Sequence, residues 1–253
     1  MRVVLLIAVL LGALCHPAVG QTVFSRPYEP NQIVVEAVVP ELPNQDSSFP
    51  SGATFLTATR SLNDNVQLAA ELPLAHYAQG GTSASAVGNP YVGVGLSSTR
   101  IPLLIELGVR LPTVPSNQAP VVGRRADLGR TAAFRDEAVS LSGLLNTRLA
   151  LSRATSLRLR AGLTYASVDT DRTNHAAHWE VPYSAQLWWE RPRLLTGLSF
   201  VGRPSINEAP DAGRARHRAV LSVMRNGDRF QPGLMLGTGL DPLFEDGQIV
   251  FVG

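Results

Sequence analysis

Apolar and polar residues alternate with a period of two over much of the chain. The clearest run is Leu103 to Leu111. Leu103, Ile105, Leu107, Val109 and Leu111 fall on one side, and Glu106, Gly108 and Arg110 on the other. Side chains on a strand point alternately to its two faces, so this pattern predicts a strand with one apolar and one polar flank. The same alternation marks Ile33 to Val39, Val66 to Tyr77, Val139 to Leu151, Leu157 to Tyr165 and His178 to Arg191. Tyr91 to Ser98, Leu194 to Arg203 and Gln248 to Val252 read as further strands. Gly52 to Leu62, His217 to Arg225 and Phe230 to Leu240 read as strands with mixed faces.

The set comes to about twelve strands, and its connections alternate in length. Those at 63–65, 99–101, 152–156, 191–193 and 226–228 are tight; those at 41–51, 78–88, 113–137, 169–177, 204–216 and 241–246 are longer. Asn226-Gly227 is the strongest hairpin signal, because a type I′ turn needs positive φ at both central residues. Short turns at one end, longer loops at the other and an even strand count are the rhythm of a transmembrane barrel. His178 to Arg191 agrees. Trp179 and Trp189 end its apolar flank, and at about 3.3 Å per residue with a tilt of about 40° they stand roughly 25 Å apart, the height of a barrel's apolar band. The expected fold is therefore all-β, an antiparallel up-and-down transmembrane β-barrel of about twelve strands. Pro73 and Pro182 fall inside strands, where a closed barrel offers no free edge, and are expected to mark bulges. No amphipathic helix of convincing length is evident, and 113–137 is expected to be the longest external loop.

Composition narrows the compartment. The chain has 253 residues, 45% hydrophobic and 17% charged. A formal net charge of +2 gives no reason to expect nucleic acid as a partner. Every basic residue is Arg. Arg2, the apolar run Val3 to Leu14 and the small-x-small site Ala18-Val19-Gly20 predict a signal peptide over 1–20, cleaved before Gln21, with the barrel over 21–253. The sole cysteine, Cys15, lies inside that leader, so the mature chain is expected to have no disulfide or thiolate chemistry.

If the apolar flanks face lipid, strand parity sends the polar side chains into the lumen. Glu36, Glu71, Glu106, Arg110, Asn146, Arg148, Arg158, Arg160, Glu180, Gln186, Glu190 and Arg203 are the candidates. A charge on the lipid side costs about 2–4 kcal/mol near the midplane, so the parity is strongly constrained. Pairing through 169–177 would set Arg158 opposite Glu190 and Arg160 opposite Trp188, and the 152–156 turn would bring Arg148 near Arg160. An Arg stripe along one wall would follow. Trp179, Trp189, Tyr165, Phe200, Phe230 and Phe251 are the expected aromatic girdle.

Segments GNPYVGVGLSS (88–98) and ELGVRLPT (106–113), with the leader and the hairpin rhythm, resemble bacterial outer-membrane barrel proteins. Among these they resemble the transporter family associated with phenol-type aromatic degradation. The resemblance implies a Gram-negative outer membrane, surrounding lipid, the barrel-assembly machinery during biogenesis and a small-molecule solute as cargo. An Arg-rich lumen wall favours anions. The alternatives are a non-conducting structural or interaction barrel acting through external loops, chiefly 113–137, and a soluble periplasmic β-protein. No nucleophile with a positioned histidine stands out, so an enzyme is not expected. No cofactor is implied. His175 and His178 are three residues apart but lack a supporting Cys or acid cluster, and His76 and His217 stand alone, so no metal is expected.

Overall fold

The structure is a computed structural model, and it describes residues 18–19, 31–40, 51–98, 101–115, 117–136, 138–171, 174–207, 217–227, 230–240 and 248–252. Most of the expected leader, the cleavage point before Gln21, the loops at 41–50, 208–216 and 241–247, and the side chains of His175 and Phe251 lie outside the described residues.

One antiparallel sheet of fourteen segments makes up the body. They are β1 (Gln32–Pro40), β2 (Gly52–Ser61), β3 (Val66–Gln79), β4 (Thr82–Val87), β5 (Tyr91–Ser97), β6 (Leu103–Arg110), β7 (Ala138–Ala150) and β8 (Thr155–Asp171). After these come β9 (Asn174–Glu180), β10 (Tyr183–Glu190), β11 (Leu194–Gly202), β12 (His217–Arg225), β13 (Gly233–Gly239) and β14 (Gln248–Val252). Neighbours in sequence pair with each other, and β14 returns to pair with β1, Val250 lying opposite Val39. The β7–β8 pairing, from Ala138↔Val168 to Ala150↔Ser156, completes the circuit. The sheet thus has no open side. Apart from the sheet, Ala18–Val19 pairs in parallel with Phe230–Gln231.

Two of the staves are interrupted, so the fourteen segments form twelve staves. The two prolines explain where, and they behave differently. Between Leu74↔Val87 and Glu71↔Tyr91, two residues (Leu72, Pro73) face three (Gly88, Asn89, Pro90), so Pro73 sits at a bulge, as expected. Between Glu180↔Thr164 and Tyr183↔Ala161, two residues face two, so Pro182 makes no bulge. The stave keeps register there, and Pro182 O still accepts from Gly162 N–H at 3.0 Å.

Two connections expected to be long loops are strand instead. β3 and β4 continue to a two-residue turn, Gly80-Gly81, with φ of +58° and +77°. Only glycine adopts both values freely, which suits a tight hairpin. β8 and β9 likewise run into what reads as the 169–177 loop.

Parity is as the alternation requires. Leu72, Val92, Leu107, Leu141, Leu145, Leu198, Leu221 and Leu236 are exposed on the outside, whereas Glu36, Glu71, Glu106, Asn146, Arg158, Arg160, Glu180 and Arg203 are enclosed. A soluble two-sheet protein would bury those leucines between its layers, and an apolar exterior this extensive excludes that alternative.

The loop at 113–137 departs most from expectation. It turns inward and fills part of the barrel with helix α1 (Ala119–Ala126) and a 3₁₀ segment, Leu128–Phe134. Pro120 opens α1, and Asn117 Oδ1 accepts from Ala119 N–H at 2.9 Å. Phe134 packs edge-on to Phe55 of β2, ring centroids 5.9 Å apart, and Ala119, Ala126 and Ala133 join it against Val38, Ala53, Ala75, Val220 and Met235. These inward apolar residues explain the mixed faces of β2 and β12, since the wall behind the plug is greasy on both sides. Gly123 lies so close to Phe134 that a Cβ would fall 2.5 Å from the ring.

Candidate functional site: a plugged, charge-lined lumen

Arg130 is the centre of the interior. Its Nε donates to Asp127 Oδ2 at 2.8 Å, its Nη1 to Glu71 Oε2 at 3.1 Å, and its Nη2 to Glu36. The guanidinium also lies 3.8 Å from the centroid of Phe55. One fully buried cation thus meets three carboxylates and an aromatic face, as its planar, five-donor fork permits. Two of the carboxylates come from wall strands β1 and β3, and the third from the plug itself.

The opposite flank of the plug is tied as firmly. Arg218 of β12 donates to Asp127 Oδ1 at 3.1 Å, and Arg203, just past β11, donates through Nη1 to Gly129 O at 2.7 Å. Arg135 reaches Glu180 of β9 at 3.2 Å, and Glu180 also pairs with Arg203 and lies 3.0 Å from His178. Asp127 is enclosed. Burial pushes its pKa up, but the Arg218 and Arg130 guanidiniums and the Gly129 N–H outweigh that and hold it below the ordinary carboxylate value.

Asn89, at the β4–β5 bulge, clips both ends of the plug. Its Nδ2 donates to Ala132 O (3.1 Å) and Arg135 O (2.8 Å), while Oδ1 accepts from Thr113 N–H (2.8 Å) and Val114 N–H (3.2 Å). The side chain is fully buried and fully used. Tyr91 beside it folds over Gly93 and Gly108, where a Cβ would sit 2.8 Å and 2.2 Å from the ring, and donates to Glu106 Oε1 at 2.7 Å. Gly93 and Gly108, from the 88–98 and 106–113 segments, therefore make room for a lumen tyrosine.

Most residues expected in the lumen meet partners there. Arg110 donates to Glu71 at 2.5 Å and to Asn89 O at 3.0 Å. Arg160 pairs with Glu106 at 3.4 Å. Asn146 donates to Leu104 O at 3.5 Å, and Gln186 Oε1 accepts from Trp188 Nε1 at 3.0 Å. Glu190 takes Arg148 at 2.6 Å, Arg158 at 2.9 Å and the Ser156 hydroxyl at 2.8 Å. The register differs from the expected one. Arg158 lies opposite Gln186 and Arg160 opposite Ser184, each four residues from the anticipated partner, and Arg148 lies opposite Arg158 rather than near Arg160. Arg158 still reaches Glu190, and it is Arg158, not Arg160, whose guanidinium lies 5.2 Å from the Trp188 ring.

Together these pairs set six carboxylates against eight guanidiniums. Beside the plug remains a cavity of about 40 Å³, bordered by Arg110, Arg130, Arg160 and Arg203, with Glu106 as its one carboxylate among the described residues. Tyr91, Ser140, Ser142 and Thr164 also line it, with Gly129, Ala132, Leu144 and Pro182 as its apolar part. That volume holds on the order of three waters.

On the outside, Trp179, Trp189, Phe200 and Phe230 are exposed. Trp179 meets Tyr165 in a tilted pair with centroids 4.7 Å apart, and Phe200 lies nearly parallel to His217 at 5.5 Å. Sequence reading missed Arg130, Asp127, Arg135, Arg218 and Asn89. The available signal was a loop too long to be a plain connection, which is usually functional when ordered.

No family model matches the chain, and no curated protein matches it. Solved structures do. A NanC porin superimposes with a TM-score of 0.54 at 8% identity, covering 87% of this chain and 97% of that one. LpxR from Salmonella typhimurium gives 0.46 at 11% identity, covering 86% and 99%. The narrower resemblance to the phenol-degradation transporter family finds no support among these matches. LpxR is an outer-membrane lipid A deacylase, and it overturns the expectation that a barrel of this form is not an enzyme. Form alone does not separate permeation from catalysis. What the likeness establishes is the fold, that of an outer-membrane β-barrel.

Proposed function

We propose that this barrel is a narrow outer-membrane channel for a small anionic solute, with the inserted 113–137 segment as its constriction. The observation that carries the reading is the cavity beside the plug, whose lining holds four guanidiniums and one carboxylate, within a lumen where eight guanidiniums meet six carboxylates. A charged ring at a constriction selects the opposite sign by stabilising it where water is scarce. Arg148 and Arg158 extend the basic wall from the constriction toward the tight-turn end. The greasy outer belt is taken to meet outer-membrane lipid. Insertion by the barrel-assembly machinery and removal of residues 1–20 before Gln21 belong to the same proposal.

Planar-bilayer recording in a salt gradient tests it. The expected result is a low conductance with a reversal potential favouring the anion, shifted toward zero by Arg160→Gln. Clear cation preference would contradict the reading. A sealed bilayer containing inserted, heat-modifiable protein would do so too, since the plug would then close the barrel.

A further inference from the structure

The tight-turn mouth holds a second feature that conduction does not require. A concavity of about 570 Å³ opens there, lined by Arg148, Arg153, Glu190, Arg191, Asn226 and Gln231 among others. Its one acid among the described residues, Glu190, is already shared by Arg148, Arg158 and Ser156. Arg153 and Arg191 are exposed on adjacent turns, and neither has a carboxylate partner among the described residues. Two unneutralised guanidiniums from different hairpins thus converge on one hollow, beside a third that is half-exposed.

The amides give the hollow a second chemistry. Asn226 Nδ2 donates to Arg191 O at 3.0 Å, which fixes the 191–193 turn against the 226–227 turn. Gln231 Nε2 donates to Gly227 O at 2.8 Å, so its orientation is set. Its Oε1 is buried, with no partner among the described residues. A buried acceptor left unmet is destabilising, and a ligand hydroxyl would meet it.

We infer that this mouth is a binding site for a small oxyanion, a carboxylate or phosphate, that also carries hydroxyl groups. The planar forks of Arg153 and Arg191 match a carboxylate or phosphate, and Gln231 Oε1 accepts from a neighbouring hydroxyl. Binding here does not depend on passage through the plug, so the site and the channel reading stand or fall separately.

Titration calorimetry on the detergent-solubilised full chain at low salt tests it, with gluconate, acetate, inorganic phosphate and glucose as probes. Saturable binding of gluconate and phosphate is expected, at least tenfold tighter for gluconate than acetate, with none for glucose. Arg153→Gln with Arg191→Gln should weaken gluconate at least tenfold. Both residues sit on exposed turns, so the heat-modifiable gel shift of a folded barrel should persist. Gln231→Leu should bring gluconate down to the level of acetate. The inference is overturned by unchanged gluconate affinity in the folded double variant, by equal binding of glucose, or by no saturable binding of any oxyanion.

Discussion

At the scale of single residues, Arg130 decides whether the interior holds together. Glu36, Glu71 and Asp127 are tolerable in the barrel because one guanidinium meets all three. Taking one partner from a buried charge network leaves the others unpaired and costs about 3–5 kcal/mol. Arg130→Met should therefore unseat the plug while leaving the wall intact, and single-channel conductance should rise severalfold. Unchanged conductance would mean the knot does not hold the plug. Asp127 adds a pH dependence whose sign is fixed. Its carboxyl is held below the ordinary value, so its contribution is fully present above the unfolded value of about 4 and is lost as pH falls through the lower folded one. The plug should stay seated from neutral to mildly acidic pH and loosen below about pH 4, read as a rise in current. A current that stays unchanged well below the ordinary carboxylate range would contradict this.

At the scale of elements, outer and inner faces differ in what they tolerate. Leu107, on the outside of β6, should accept Arg only at a cost of about 2–4 kcal/mol if it lies near mid-membrane, whereas Leu62→Arg at the tight-turn end should cost about 0–1. Urea unfolding in vesicles measures both, and equal penalties would refute the depth assigned to β6. The difference between these faces was open to reading because it is local. Leu103 to Leu111 shows its parity with no knowledge of its neighbours. The β8–β10 register was mistaken by four residues because 169–177 looked like a loop, yet an even slip leaves every side chain on its own face, and Arg158 and Arg160 remained inside. The plug left no comparable trace. Its helix spans only eight residues, its buried face is mostly small residues, and its stability comes from Glu36, Glu71 and Arg218, which are far away in sequence. Phe55, Val220 and Met235 point inward for the same reason, which is why their strands read as mixed-faced.

At the scale of the whole molecule, a closed antiparallel wall carries leucine and valine outside and paired charge inside, and one long connection is folded through the middle. The closed wall leaves no strand edge among the described residues to pair with another chain. It also makes the interior the only place where the charged residues of β1, β3, β6, β8 and β9 avoid the apolar exterior. Every functional proposal above depends on that inside–outside division. The chain has no cysteine after Cys15, so single cysteines can be introduced one at a time along β6 and labelled with nitroxide in reconstituted vesicles. Labels at Leu103, Ile105, Leu107 and Val109 should collide freely with lipid-dissolved oxygen, while those at Leu104 and Glu106 should not. Uniform protection along the strand, or oxygen access at the even positions instead, would contradict the division between lipid-facing and enclosed sides.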